Sequence, residues 1–327
     1  MLKTIQFLIL FLIVCAPLHA EFSYRFLTHE NGTKIRVGEW HSKASADSKK
    51  LLIVCPGRAS FIEKNDRLAD YFSQLGFRVI VIDWQGHGGS DRLVSNPQKV
   101  YIDDYQSYVD DVKLTLKAHL NADQEVYLVG SSMGAVVVIQ FLQDQNLTKD
   151  FPVKAAILLS PMLGMKTKPF PVFAARWLAA AATKFGYGDH YCYGYGDFDF
   201  SKDIFEKNRN THDRDNFERQ KKIARDYPQF LTAGPTYRWL NASFKALDQA
   251  HQAECLQLVT IPIFIATAGD DQTVDTSYDA KLATHLKNGT HKIYEGAWHN
   301  IFNESDSIRQ KLQHDMEAFL GLNPTNH

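Results

Sequence analysis

The sequence predicts an α/β fold: a mostly parallel central sheet flanked by helices, with an inserted, mainly helical cap. Three observations carry this expectation. Short apolar runs alternate with segments of helical period, as they do when strands buried on both faces are joined by crossover helices. The alternation then fails between Pro161 and Trp239, a stretch too long to be a structureless loop in a compact domain. Finally, 327 residues at 45% hydrophobic and 22% charged can bury a large core, which excludes disordered and collagen-like chains. With 36 basic against 37 acidic side chains, no surplus of cations exists to neutralise phosphates, so no nucleic-acid partner is expected.

The first twenty residues stand apart. Lys3 precedes an uninterrupted apolar run, residues 7–16, and then come Pro17 and Ala20 before Glu21. This reads as a secretory signal peptide cleaved after Ala20, since a bilayer span needs about 20 apolar residues. The expected product is exported, periplasmic or secreted, and membrane-anchored only if the segment is retained. Cleavage leaves Cys55, Cys192 and Cys255, enough for at most one internal disulfide, with Cys192–Cys255 a pairing that spacing leaves open. The expected organisation is a signal at 1–20, a first core part at 21–160, the cap at 161–244 and a second core part at 245–327.

Within the core, strands are expected at residues 51–55, 78–83, 126–130, 155–159, 261–266 and 291–295. Between them, Leu68, Tyr71, Phe72 and Leu75 recur at helical spacing and stop at Gly76, and Ile102, Tyr105, Val109, Val112 and Leu116 do the same. A final helix carries Ile308, Leu312, Met316 and Phe319, with Asn303 or Ser305 as its cap. In the insertion, Phe170, Phe173, Trp177 and Leu178 form an apolar helical face, which either lines an acyl channel or packs on the core. The glycine and aromatic run at 185–200 and the charged segment at 202–226 read as irregular packing and a solvated face.

The chemistry is concentrated at strand ends. Gly130-Ser131-Ser132-Met133-Gly134 lies between an apolar strand and an apolar helix, the strand-turn-helix setting that a G-x-S-x-G elbow requires. Ser132 then presents a hydroxyl, which needs a base and an orienting acid to become nucleophilic. Carboxylates at Asp270, Asp271 and Asp275 follow the fifth strand, and His299 follows the sixth, the chain order of a Ser, acid, His triad in this topology. His87 is the one other histidine in a comparable glycine-rich loop. The Met133 N–H is one expected oxyanion donor. The Arg58 N–H, after Cys55-Pro56-Gly57, is the other, because proline has no N–H and glycine permits close approach. No metal-ligand spacing appears, and neither a metal nor a cofactor is expected.

These residues resemble the α/β-hydrolases, and within them the S33-type, serine aminopeptidase-like branch of bacterial lysophospholipases and monoacylglycerol lipases. The resemblance spans residues 24–320 and rests on C-P-G-R at 55–58, D-W-Q-G-H-G-G-S at 83–90, G-S-S-M-G at 130–134, G-P-T-Y-R-W at 234–239, D-Q-T-V-D at 271–275 and Y-E-G-A-W-H at 294–299. It implies that the acid is Asp271, that Asp275 is a supporting carboxylate and that the loop with His87 shapes the site entrance. Phe173, Trp177, Tyr237 and Trp239 join Arg58 as expected substrate-binding residues. Pro56 replaces the histidine of monoacylglycerol lipases, and Ser60 stands near the place of their glycerol-gripping glutamate, so the pattern looks more like the lysophospholipase type. The Arg58 guanidinium would suit a lipid phosphate. The implied function is a serine acyl-ester hydrolase acting on a lipid or ester substrate, a lysophospholipase first, with peripheral membrane contact and no protein partner. Its rivals are a monoacylglycerol lipase, a carboxylesterase or aminopeptidase of the same fold, and a non-enzymatic binding protein on the same scaffold.

Overall fold

The computed structural model describes residues 21–42, 44–45 and 48–322; the signal expected at residues 1–20 lies outside them. In chain order the elements are β1 (Glu21–Thr28), β2 (Lys34–His41), β3 (Lys50–Cys55), α1 (Asp66–Gln74), β4 (Arg78–Ile82), α2 (Gln106–His119), β5 (Glu125–Ser131), α3 (Met133–Gln143), α4 (Gln145–Asp150) and β6 (Val153–Leu159). After β6 come α5 (Val172–Lys184), α6 (Arg214–Asp226), α7 (Tyr237–Ala250) and α8 (Ala253–Leu256), then β7 (Ile263–Ala268), α9 (Asp279–His285), β8 (Gly289–Tyr294) and α10 (Asp306–Phe319).

The eight strands form one sheet ordered β1-β2-β4-β3-β5-β6-β7-β8. From β4 to β8 every pairing is parallel, while β1 and β2 are antiparallel additions at one edge. Alternation along each strand splits the core into two layers. Leu51 and Ile53 of β3 face α2, α3 and α7, and Leu52 and Val54 face α1 and α10. Burial on both faces is why the central strands read as unbroken apolar runs.

The observed bounds refine the expected ones. β7 starts at Ile263 rather than 261, because Pro262 has no N–H for the ladder, and it runs on to Thr267 and Ala268, which pair with Ile293 and Tyr294. The helix expected from Ile102 starts at Gln106; Ile102 and Tyr105 are buried in the loop before it. Ser305 occupies the N-cap of α10, although its side chain makes no capping bond. Cys55, Cys192 and Cys255 are all free thiols, so the Cys192–Cys255 pairing does not form.

Between β6 and β7 the described chain adds no strand to the sheet. Backbone bridges tie this stretch down at Tyr191–Thr236, Val100–Pro235 and Met165–Val274. α7 runs across the expected boundary at 244, and its Trp239, Ala242, Ala246 and Ala250 belong to the core layer that also holds α3. α5 buries Ala175 and Ala179, small residues that let it lie close to α7.

Candidate active site

Ser132 sits on the turn between β5 and α3 with φ +51° and ψ −114°, a conformation non-glycine residues seldom adopt and one that the surroundings must impose. Its neighbours show how. A methyl on Gly134 would lie 1.9 Å from the carbonyl oxygen of Cys55, and one on Gly130 would lie 2.6 Å from the Cα of Ala135. Both glycines are therefore demanded by backbone approaching backbone. The Ser132 N–H donates to Leu159 O (3.0 Å), and its carbonyl accepts from Ala135 and Met162 (both 3.1 Å), which fixes the hydroxyl at the carboxyl end of the sheet.

The loops after β7 and β8 are joined to each other: Gly269 N–H donates to Tyr294 O and Asp270 N–H to Ala297 O, both at 2.9 Å. That pairing brings Asp271 Oδ2 to 2.6 Å from His299 Nδ1, while His299 Nε2 lies 2.9 Å from Ser132 Oγ. A carboxylate can only accept, so the imidazole proton sits on Nδ1 and Nε2 is left to accept from the hydroxyl. Asp271 is buried, and burial pushes its carboxyl upward. The His299 hydrogen bond and charge, with the N–H groups of Val274 and Thr273, more than offset that and hold it below the usual carboxylate range. Asp270, by contrast, is exposed. Asp275 accepts from Ser277 N–H, capping the short turn that leads into α9.

The loop after β3 passes directly over Ser132, a methyl on Gly57 reaching 3.2 Å from the serine Cβ. Trp84 Nε1 donates to Pro56 O at 2.9 Å and anchors this loop. Met133 is the first residue of α3 and is fully buried. The half-buried Arg58 side chain donates from Nη1 to Ala233 O at 2.8 Å and lies 5.6 Å from the ring of Trp239. Burial lowers its pKa, opposed by Tyr195, Tyr105 and Cys192. None of these neighbours is a carboxylate, so no fixed anion neutralises the guanidinium among them.

The remaining expected binding residues divide. Trp239 is buried beside Arg58 and Tyr105, and Tyr237 is half-buried at the start of α7. Phe173 and Trp177 are 77% and 73% exposed, so of the two expectations for this face, packing on the core does not hold. The alanines of α5 take the inward face, so the bulky stripe is turned to solvent.

Sequence reasoning also passed over a buried ion network behind the site. Arg36 Nε donates to Asp83 at 2.7 Å, and both Nη atoms donate to Glu63 at 2.8 Å. Phe230 covers the guanidinium at 4.0 Å. Asp83 also accepts N–H groups of Ile62 and Gly89, so it staples the 83–90 loop to the segment that follows Arg58. Burial lifts its carboxyl to about 6 despite the cation. His87, in the same loop, is fully buried and pushed down to about 3 by desolvation, hence neutral.

Fold and site together define a serine ester hydrolase on the α/β-hydrolase architecture. Comparison with known proteins agrees: the family described as serine aminopeptidase, S33 (Hydrolase_4) matches residues 46–306, and the chain belongs to that family. It is 26% identical over 308 residues to the probable lysophospholipase L2 of Haemophilus influenzae, covering 94% of each chain. To lysophospholipase L2 of Escherichia coli K12 it is 28% identical over 282 residues, 83% of this chain and 80% of that one. Among solved structures, a soluble variant of monoglyceride lipase from Saccharomyces cerevisiae superposes with a TM-score of 0.71 at 17% identity, covering 90% and 94% of the two chains.

Proposed function

We propose that this lipid ester hydrolase is a lysophospholipase that works through an acyl-enzyme on Ser132. The observation that carries the reading is the unbroken chain from Asp271 through His299 to Ser132, with contacts of 2.6 and 2.9 Å. His299 Nε2 takes the hydroxyl proton as Oγ attacks the ester carbonyl. The N–H groups of Met133 and Arg58 hold the oxyanion, and Asp271 stabilises the imidazolium. The imidazolium then returns the proton to the departing glycerol oxygen. Water deprotonated by His299 attacks the acyl-enzyme, and the fatty acid leaves as Ser132 recovers its proton.

The head group enters through Arg58. A guanidinium carried by the loop that crosses Ser132, with no carboxylate partner among the described residues, suits a phosphodiester, and the likeness to two lysophospholipases L2 supports the same choice. The test is kcat/KM for Arg58→Ala on a lysophosphatidylcholine and on a monoacylglycerol of equal chain length. The expected result is a loss about 10-fold larger on the phospholipid, the scale of one charge-assisted hydrogen bond. Equal losses would leave a monoacylglycerol lipase or general esterase as the better reading.

Export, a cap at 161–244 and peripheral membrane contact belong to the same proposal. Residues 1–20 have the composition of a signal peptide. Exposed Phe173, Trp177 and Phe185 offer an apolar surface to lipid. N-terminal sequencing of the mature protein tests the first point.

A further inference from the structure

One buried carboxylate outside the triad touches both the His299 loop and the insertion. Glu304 lies five residues after His299 and is 0% exposed. Its Oε1 accepts the N–H of Trp298 at 2.9 Å and that of His212 at 3.1 Å, and its Oε2 accepts the N–H of Ser305 at 3.2 Å. The His212 Nδ1 is 3.3 Å from Oε1. Three further bonds run beside it. Thr211 Oγ1 donates to Asn303 O at 2.7 Å, Asn300 N–H to Asn210 O at 2.8 Å, and Asn216 Nδ2 to Glu304 O at 3.3 Å. The His212 ring rests on Trp298 with centroids 3.8 Å apart.

We propose that Glu304 is a positioning residue for His299, and that it ties the orientation of the imidazole to the seating of insertion residues 208–213. The Trp298 amide immediately precedes His299, so the carboxylate grips the loop one residue from the ring. The same carboxylate holds His212, 92 residues earlier in the chain. An amide in place of the carboxylate would turn a donor toward one set of these N–H groups. Leaving such buried donors without an acceptor favours movement of the loop, and displacement of a catalytic group by about 1 Å is enough to cost up to about 100-fold in rate.

This inference rests on His299 being the base, and the experiment separates the two. Wild type, Glu304→Gln, Thr211→Val and the double variant are assayed on a water-soluble p-nitrophenyl ester, with active sites counted by exhaustive fluorophosphonate labelling. The expected result is about a 10-fold or larger fall in kcat per labelled serine for Glu304→Gln, with KM within about twofold. Thr211→Val is expected to lose less, and the double variant less than the product of the two, because both act through one junction. A merely structural role would lower the fraction of labelled sites and leave the rate per site unchanged. A wild-type rate per site in Glu304→Gln overturns the proposal, and multiplicative losses overturn the tie to the insertion. Should Glu304→Gln fail to fold, Thr211→Val and His212→Phe are judged by the same rate-per-site criterion. If His299→Ala stays active, the reading of the base fails; if His299→Ala is dead and Glu304→Gln is not slowed, only the positioning role does.

Discussion

The Oδ2 of Asp271 stands 2.6 Å from Nδ1 of His299, whereas the neighbouring Asp270 is turned out to solvent. Two adjacent carboxylates thus have opposite environments, and one alone can hold the imidazole tautomer. Asp271→Asn is expected to lower kcat by about 10³- to 10⁴-fold, because the amide can present a donor to Nδ1 and favour the wrong tautomer. Asp270→Asn is expected to stay within about twofold, its side chain being exposed. Steady-state kinetics on a soluble ester with both variants checks the assignment, and the reverse order would refute it.

How far the chain could be read in advance follows from what each element needed. β3, β4 and β5 were legible because strands buried on both faces must be apolar throughout, and the elbow was legible because Gly130 and Gly134 are forced by backbone contact. β1 and β2 were not among the expected strands. Their residues alternate apolar with polar, as in Phe22, Tyr24 and Phe26, which stay 40–59% exposed at the sheet edge. A search for continuous apolar runs misses that pattern. The bulky stripe of α5 does not pack as its spacing suggests: Ala175 and Ala179 make the buried contact, and Phe173 and Trp177 stay exposed. Glu304 belongs to no short motif, and only folding brings it to Trp298 and His212.

Gly134 is the tightest position of the elbow. The methyl of Gly134→Ala would enter the Cys55 carbonyl at 1.9 Å and approach Pro56 O at 2.7 Å, and neither backbone atom can swing aside as a side chain would. Relief would require moving the loop that carries Gly57 and Arg58. Gly134→Ala should therefore lose about 100-fold or more in kcat, as when an oxyanion donor is displaced, or fail to fold. Gly196→Ala is the control: nothing lies within 4 Å of its added methyl, so its activity and urea midpoint should match wild type.

The exposed stripe on α5 gives a separate expectation. Phe173 and Trp177 cover no core surface, so Phe173→Ser/Trp177→Ser should change the unfolding free energy by less than about 0.5 kcal/mol. On a soluble ester kcat/KM should stay within about twofold. If the stripe meets lipid, co-sedimentation with phosphatidylcholine vesicles should fall several-fold, because two large apolar groups leave the interface. Unchanged co-sedimentation would remove the stripe from any membrane-contact surface.

Asp279 gives the fold a pH dependence of definite sign. It is fully buried at the start of α9, where Thr267 Oγ1 donates to its Oδ2 at 2.7 Å and itself accepts from His291 Nε2 at 2.8 Å. Burial raises its carboxyl from 3.8 to about 7; the Thr267 hydrogen bond opposes the shift, and the charges of Asp271 and Asp275 add to it. The folded protein thus keeps a proton that the unfolded chain has released above about pH 4. Stability from this group is complete below that point and declines as pH rises through 7. Asp279→Asn keeps the acceptor for Thr267 and carries no charge. Relative to wild type, the variant should gain on the order of 1–3 kcal/mol at pH 8 and progressively less toward pH 5. Urea titrations at both pH values measure it, and a gain that grows toward low pH would contradict the assignment.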